Sequence, residues 1–167
     1  MEDRLPVKAR VVALLRQKDL TLFAAESCTG GLVTKELTDV PGASTVLYGG
    51  VVSYVNDIKQ AVLGVSSETL ERFTAVSEPC AREMAEGARR LSGCDIGVST
   101  TGYASGGEGV PSDMVGVVFV GIADGKSTEV HRLRLTGDRD AVRRGAVEAL
   151  FALLWERLTE KRKNDSL

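Results

Sequence analysis

The segment Ala24-Ala25-Glu26-Ser27-Cys28-Thr29-Gly30-Gly31 constrains the fold of this chain more than any other part of the sequence. It overlaps the end of the apolar run 21–25 and precedes a helix-like segment, 32–38. A strand that turns sharply into a helix places the turn at the rim of a sheet, where a small nucleophile is exposed and the first free amides of the helix can meet negative charge. Two glycines in such a turn let the backbone approach a ligand closely. We interpret this segment as the active centre.

The composition predicts one soluble globular domain. The chain has 167 residues, of which 43% are hydrophobic and 26% are charged, and both values are typical of globular proteins. We expect a single domain over 1–167, with an ordered core at 6–158 and a polar C-terminal tail that frays.

Charge, hydropathy and cysteine content exclude several classes of function. The net charge of −2 does not indicate the positively charged surface that nucleic-acid-binding proteins carry. No apolar segment approaches the length of a membrane span, and the first residues do not resemble a secretory signal. The chain has three cysteines, Cys28, Cys80 and Cys94. An odd number without metal-ligand spacing is not typical of a disulfide framework or a metal site, and it favours a protein of the reducing cytoplasm. We therefore expect a cytoplasmic protein with neither a nucleic-acid nor a membrane partner.

Hydrophobic periodicity and turn residues predict helices that alternate with strands. The predicted helices are 7–18, 30–38, 56–63, 67–73, one that begins at 76–79, and a last one that opens at Gly137-Asp138. The predicted strands are 21–25, 45–54, 95–101, 115–123 and 127–135, with a bulge or close approach at Gly49-Gly50. The segment 103–113 is rich in glycine and serine and is expected to form a lid or wall. This order indicates an α/β fold, a three-layer α/β/α sandwich with a mixed, mostly parallel sheet.

Serine chemistry at the turn needs a base, because the hydroxyl of Ser27 is a poor nucleophile until its proton is removed. The single histidine, His131, lies in a strand pattern typical of an exposed sheet residue, which disfavours a Ser-His-Asp arrangement. Lys59 is then the candidate base, and its pKa has to fall well below about 10.4, as burial or a helix N-terminus can cause. Tyr54 is the candidate to relay the proton or to hold Lys59 by a hydrogen bond. The amides of 29–31 are candidate donors to an oxyanion.

Several motifs, in order along the chain, resemble the CinA C-terminal domain family. They are the block 25–31, Val52-Ser53-Tyr54-Val55-Asn56 with Lys59, Leu63-Gly64-Val65, Ala75-Val76-Ser77-Glu78-Pro79, and Gly137-Asp138-Arg139 with Val142-Arg143. Members of that family include the nicotinamide-nucleotide amidohydrolases, which convert nicotinamide mononucleotide to nicotinate mononucleotide and ammonia. The resemblance implies that Ser27 is the nucleophile, Lys59 the general base and Tyr54 its partner. It also implies an α/β/α fold, no metal or organic cofactor, and a homodimer or higher homo-oligomer.

Nine residues around the turn and the glycine-rich loop are expected to contact the nucleotide substrate or its oxyanion. They are Cys28, Thr29, Gly30, Gly31, Thr101, Gly102, Gly106, Gly107 and Arg139. Arg139 either lies near the substrate phosphate, which its bidentate guanidinium suits, or ties the last helix to a neighbouring chain. Cys28 is either a small buried core residue or a rival nucleophile, since a helix N-terminus lowers the pKa of a thiol.

The glycine-rich loop departs from the family pattern. Where the family has Thr-Gly-Ile-Ala-Gly-Pro-Gly-Gly and then Lys-Pro-Val-Gly, this chain has Thr101-Gly102-Tyr103-Ala104-Ser105-Gly106-Gly107 and Asp113-Met114-Val115-Gly116. The loop is expected to border the substrate, so the departure affects nucleotide preference more than chemistry.

Two alternative functions stay open at this point. One is a nucleotide-binding or partner-binding relative without turnover, and the other is an amidase that depends on Cys28.

Overall fold

The computed structural model describes the backbone of residues 5–164 and the side chains of 5–160. The helices are α1 (Val7–Gln17), α2 (Leu32–Thr38), α3 (Asn56–Leu63), α4 (Ser67–Phe73), α5 (Glu78–Ser92) and α6 (Arg139–Asn164). The strands are β1 (Leu22–Glu26), β2 (Leu47–Val52), β3 (Ile96–Gly102), β4 (Val117–Ala123) and β5 (Thr128–Arg134). Two single 3₁₀ turns, Ala43–Thr45 and Ser112–Met114, lie in the connections.

The five strands form one mixed sheet in the order β2-β1-β3-β4-β5. Strand β1 pairs in parallel with β2 and β3, whereas β4 pairs antiparallel with both β3 and β5. Four strands therefore run in one direction and β4 alone runs in the other. This confirms the predicted mixed, mostly parallel sheet, and it brings the carboxyl ends of β1, β2 and β3 to one edge.

Helices cover both faces of the sheet, which confirms the three layers. Alternate residues of β1 point to opposite faces, so Ala24 packs into a core with α1, α2 and α6, and Ala25 packs into another with α3 and α5. The strands of the sheet centre are consequently apolar on both faces, and all seven residues of β4 are buried.

Most of the predicted element boundaries agree with the structure, and several helices are capped by polar side chains or end at a glycine. Ser66 caps α4, Ser77 caps α5, and the carboxylate of Asp138 accepts a hydrogen bond from the amide of Ala141 at 2.8 Å. Gly64 ends α3 with φ of 70°, a conformation that glycine adopts without strain. The predicted close approach in β2 is also present, because a Cβ on Gly50 would lie 2.5 Å from Cγ2 of Thr34.

Two predicted helix boundaries differ from the structure. Helix α2 begins at Leu32 rather than at residue 30, since Gly30 and Gly31 have φ of 58° and 100° and lie outside the right-handed helical region. Helix α6 continues past Leu158 to Asn164, where we expected fraying, because the Glu, Lys and Arg of 160–163 are good helix formers. The rest of the predicted tail, 165–167, lies outside the described residues.

No helix within residues 5–164 is both long enough and apolar enough to cross a lipid bilayer.

Candidate active site

Ser27 and Lys59 meet at the carboxyl edge of the sheet. Ser27 directly follows β1, and its amide donates a hydrogen bond to the carbonyl of Thr100 at 2.9 Å, which holds the turn against β3. Lys59 lies in α3, the helix that follows β2, and its Nζ is 2.9 Å from Oγ of Ser27. The two side chains are 8% and 1% exposed. The serine and lysine that the sequence singled out are therefore in direct contact in a buried site.

The surroundings of Lys59 suit a neutral amine. Its Nζ donates to the carbonyl of Ser53 at 2.6 Å and to the carbonyl of Tyr54 at 3.3 Å. Its third contact is a hydrogen bond donated to Oγ of Ser27, so the three N–H groups of the ammonium all have acceptors. Loss of one proton leaves both carbonyls bonded and a lone pair that can accept from the Ser27 hydroxyl. Burial lowers the pKa of Lys59 from its ordinary value, against a smaller upward effect of the Cys80 and Cys28 thiols. No carboxylate in the described part of the chain contributes to holding the charge on this amine.

Tyr54 contacts Lys59 through its backbone and not through its side chain. Its hydroxyl instead accepts a hydrogen bond from Arg139 at 3.0 Å, and its side chain is largely exposed at the rim of the site. The second guanidinium nitrogen of Arg139 donates to Oγ of Ser105 at 3.0 Å. Lys59 and Tyr54 are therefore hydrogen-bonded, but through the backbone carbonyl, so the bond does not depend on the tyrosine side chain. The role of Tyr54 as partner of the base stays a prediction, and its hydroxyl makes a contact that sequence spacing did not indicate.

A cavity of about 320 Å³ opens above Ser27 and contains both Tyr54 and Arg139 in its wall. The remainder of the lining comes from the turn, the end of β3 and two loops: Cys28, Lys59, Ala75, Val76, Thr101, Gly102, Tyr103, Ala104, Ser105, Gly106 and Val110. Thr101 fixes one wall by donating to the carbonyl of Ala75 at 2.7 Å. The predicted loop wall is therefore present, and it includes Thr101, Gly102 and Gly106, whereas Gly107 is exposed outside the lining.

The amides predicted to bind an oxyanion are only partly available. The amide of Gly30 donates to the carbonyl of Ser27 at 3.1 Å, and the amide of Gly31 donates to the carboxylate of Glu26 at 2.9 Å. The amides of both glycines therefore have acceptors within the chain, and a role for these residues at the substrate or its oxyanion stays a prediction. The amide of Cys28, a residue that lines the cavity, has no acceptor on another residue within 5–164 and bonds only its own thiol, so it is the donor of the turn best placed for a ligand. The amide of Thr29 also lacks a backbone acceptor there, but Thr29 is fully buried and does not line the cavity.

Glu26 is the residue of the site that sequence reasoning missed. It is 1% exposed, and its carboxylate accepts hydrogen bonds from the amides of Gly31, Val33 and Thr34 and from the hydroxyls of Thr29 and Thr34, at distances of 2.6–3.0 Å. A signal was present in the sequence, since a carboxylate just before a helix N-terminus is well placed to accept its free amides.

Cys28 and His131 do not provide a competing mechanism. Cys28 is 6% exposed, and burial raises the pKa of its thiol to about 12, so the nucleophilic thiolate is scarce near neutral pH. His131 lies on β5 at the far edge of the sheet, and its ring nitrogen is 3.1 Å from a carboxylate oxygen of Glu129. Cys28 is thus buried, which agrees with the first of its two interpretations. His131 lies in a strand as predicted, but it is half-buried rather than exposed.

The sequence matches the CinA C-terminal domain over residues 4–158. A protein of Desulforudis audaxviator named as competence-damage inducible is 48% identical over 154 residues, which are 92% of this chain and 37% of that protein. A CinA-like protein of Leptospira interrogans is 44% identical over 158 residues, which are 94% of this chain and 38% of that protein. The chain thus spans little more than a third of the length of these relatives.

Solved structures show the same fold. A competence-damaged protein (CinA) superfamily protein from Klebsiella pneumoniae superposes with a TM-score of 0.86 at 37% identity and covers 92% of this chain and 96% of its own. A competence or damage-inducible protein from Enterobacter asburiae superposes with a TM-score of 0.87 at 33% identity, with coverage of 91% and 96%. On the match over nearly its whole length and on this common fold, the chain belongs to the CinA C-terminal domain family.

Proposed function

We propose that this chain is a nicotinamide-nucleotide amidohydrolase, which hydrolyses the carboxamide of nicotinamide mononucleotide to nicotinate mononucleotide and ammonia. The observation that carries the proposal is the 2.9 Å contact between Nζ of Lys59 and Oγ of Ser27 in a buried site. An amine whose pKa is lowered by burial can accept the proton of a serine hydroxyl and so activate it for acyl transfer.

The first half of the reaction forms an acyl-enzyme. Neutral Lys59 accepts the proton of Ser27 while Oγ attacks the carboxamide carbon and the carbonyl π electrons move onto oxygen. The amide of Cys28, in the cavity wall beside Ser27, is the candidate to stabilise this oxyanion, a contribution of about 3 kcal/mol for one such donor. The protonated Lys59 then gives its proton to the leaving nitrogen, the C–N bond breaks, and ammonia leaves.

The second half releases the acid. Lys59 is neutral again after ammonia forms, so it can accept a proton from water as the water oxygen attacks the ester carbon. Collapse of the second tetrahedral intermediate breaks the bond to Oγ, and Ser27 recovers its proton from Lys59. Each step uses one base, which alternates between its neutral and protonated forms.

Arg139 is the group that we propose for the substrate phosphate. It lies in the cavity wall above Ser27, and its guanidinium presents several N–H donors in a planar fork that matches phosphate oxygens. Ser105, which stands in the segment where the loop departs from the family pattern, already occupies one of these donors. We therefore expect nucleotide preference to depend on the 103–106 segment rather than on the Ser27 turn.

Ammonia release from nicotinamide mononucleotide by the purified chain tests the proposal. We expect turnover in the wild type, and a loss of at least about 1,000-fold in Ser27→Ala and in Lys59→Met, because each variant removes one partner of the proton transfer. Absence of turnover, or full turnover in Ser27→Ala, contradicts the proposal. Calorimetric binding of the nucleotide without release of ammonia would instead support a relative that binds the nucleotide and does not turn it over.

The homo-oligomer implied by the resemblance stays a prediction, and sedimentation velocity measures it.

A further inference from the structure

We propose that Glu26 is a positioning residue of this site, whose carboxylate fixes the turn 27–31 so that Ser27 faces Lys59 and Cys28 lines the cavity. The kinetic test of this inference rests on the proposed function, whereas its hydrogen-exchange test does not. It concerns a side chain that does not contact the substrate cavity, because Glu26 is absent from the residues that line it.

The side chain of Glu26 binds the turn and the helix that follows it. One carboxylate oxygen accepts from the hydroxyl of Thr29 at 2.6 Å and from the amides of Gly31 at 2.9 Å and Val33 at 3.0 Å. The other accepts from the amide and the hydroxyl of Thr34, at 2.9 and 3.0 Å. These five donors belong to residues three to eight positions later, so one buried charge holds the whole connection between β1 and α2.

The main chain of Glu26 binds the segment that holds Lys59. Its carbonyl accepts the amide of Ser53 at 2.7 Å, and the hydroxyl of Ser53 lies 3.3 Å from the same oxygen. The carbonyl of Ser53 is in turn the nearest acceptor of Lys59, at 2.6 Å. Glu26 therefore joins the nucleophile turn on one side to the support of the base on the other.

The hydroxyl of Thr29 links this arrangement to the neighbouring strand. It donates to Glu26 and lies 2.7 Å from the hydroxyl of Thr100, whose carbonyl accepts the amide of Ser27. Glu26, Thr29 and Thr100 are each 1% exposed or less. Because all the partners are buried and mutually bonded, the turn has one well-defined arrangement, and loss of the carboxylate leaves several donors without an acceptor.

The matched pair Glu26→Gln and Glu36→Gln tests this role. Both changes remove one carboxylate charge, Glu26 just before α2 and Glu36 within it. Glu36 is the control, because its carboxylate pairs with Lys8 at 2.6 Å and does not contact the turn. A neutral amide at Glu26 sets an NH₂ group against backbone N–H donors. We expect Glu26→Gln to lower kcat about 100-fold, because a shift of the Ser27 hydroxyl by about 1 Å from its reactive position has an effect of that size. We expect KM to change less than about threefold, since Glu26 does not line the cavity. We expect Glu36→Gln to keep both constants within about twofold of the wild type.

A second pair isolates the hydroxyl of Thr29. Thr29→Val keeps the size of the side chain and removes the bonds to Glu26 and Thr100, whereas Thr29→Ser keeps the hydroxyl. We expect Thr29→Val to lower kcat in the same way as Glu26→Gln, and Thr29→Ser to restore most of the activity. Equal kcat in all four variants, or an equal loss in Glu26→Gln and Glu36→Gln, overturns the proposal.

Hydrogen exchange by mass spectrometry tests Glu26 without any substrate. We expect Glu26→Gln to increase exchange in the peptide that covers 27–38 and to leave the peptides of α1 and α5 unchanged, and we expect Glu36→Gln to leave 27–31 protected. Unchanged protection of 27–34 in Glu26→Gln overturns the positioning role even if nicotinamide mononucleotide proves not to be the substrate. Absence of turnover in the wild type, with the expected exchange pattern, contradicts the proposed function alone.

Discussion

Arg139 donates a hydrogen bond to the hydroxyl of Tyr54 at 3.0 Å, although the two residues are 85 positions apart in the sequence. The bond closes the rim of the cavity above Ser27, because Tyr54 follows β2 and Arg139 begins α6. Ser105 of the glycine-rich loop completes the contact by accepting from the same guanidinium. Three segments that are distant in sequence therefore meet at one arginine, beside a serine and a lysine that are already in contact.

Tyr54→Phe tests whether the tyrosine hydroxyl acts on Arg139 or on the proton. The change removes the bond to Arg139 and keeps the carbonyl that accepts from Lys59. We expect steady-state kinetics to show that KM rises about fivefold while kcat stays nearly unchanged, since a loss of about 1 kcal/mol in substrate positioning corresponds to that factor. If the variant instead loses about 100-fold or more in kcat, the hydroxyl is a proton relay.

The pH dependence of kcat/KM should follow the titration of Lys59. Only the neutral amine accepts a proton, and burial lowers the pKa of this group below its ordinary value of 10.5. We therefore expect activity to rise with pH through that lowered pKa and to level off before pH 10.5. A profile that falls over this range would contradict a neutral lysine base.

The same titration affects stability. The pKa of Lys59 is lowered in the folded chain and ordinary in the unfolded chain, so between the two values the unfolded chain binds more protons than the folded one. The free energy of unfolding contributed by this group therefore rises with pH across that window. Urea unfolding at several pH values should show that slope in the wild type, and Lys59→Met, which cannot titrate, should lack it.

Cys28→Ala should leave the reaction largely intact. Burial raises the pKa of the Cys28 thiol to about 12, so its thiolate is a minor species at neutral pH. We expect kcat within about fivefold of the wild type, because the change removes little more than a sulfur atom from the cavity wall. We also expect iodoacetamide to inactivate the wild type slowly at neutral pH. Rapid alkylation together with an inactive Cys28→Ala variant would favour a cysteine amidase.

Thr74 is a strained residue behind the cavity wall. It follows α4 with φ of 67° and ψ of 171°, a conformation that costs a β-branched residue about 1–3 kcal/mol. It directly precedes Ala75 and Val76, which line the cavity. We expect Thr74→Gly to raise the free energy of unfolding by about 1 kcal/mol and to raise KM more than it changes kcat, because the wall becomes less rigid.

Thr74→Ala is the matched control for that experiment. Alanine keeps the Cβ that makes positive φ unfavourable, so the strain remains and thermal unfolding should show no stabilisation. Equal stabilisation by both substitutions would show that side-chain contacts of Thr74, rather than its backbone, determine the effect.

Local sequence chemistry was sufficient to predict most of the elements. The alternation of apolar runs with capped amphipathic segments gives α3 and α4 their observed bounds, and it places the nucleophile turn between β1 and α2. Glycine and capping residues have local causes and local effects, so a sequence can indicate them without knowledge of the fold. The misplaced start of α2 has a different cause. Gly30 and Gly31 both have positive φ, in a turn where the carboxylate of Glu26 accepts the amide of Gly31, and local hydrophobic periodicity does not indicate that contact.

The sequence by itself determined which side chains are available as nucleophile and base. They are a serine in a strand-to-helix turn, a lysine on a short helix and a single histidine in a strand. Only the tertiary structure decided that Lys59 is buried and that its amine has two carbonyls and one hydroxyl as neighbours. It also decided that Glu26 supports the serine turn and that Arg139 bonds the hydroxyl of Tyr54. The physical reason is that burial and charge pairing depend on residues from different elements, here β1, α3 and α6. The sequence can name a lysine as a candidate base, but its pKa falls only when packing removes its water.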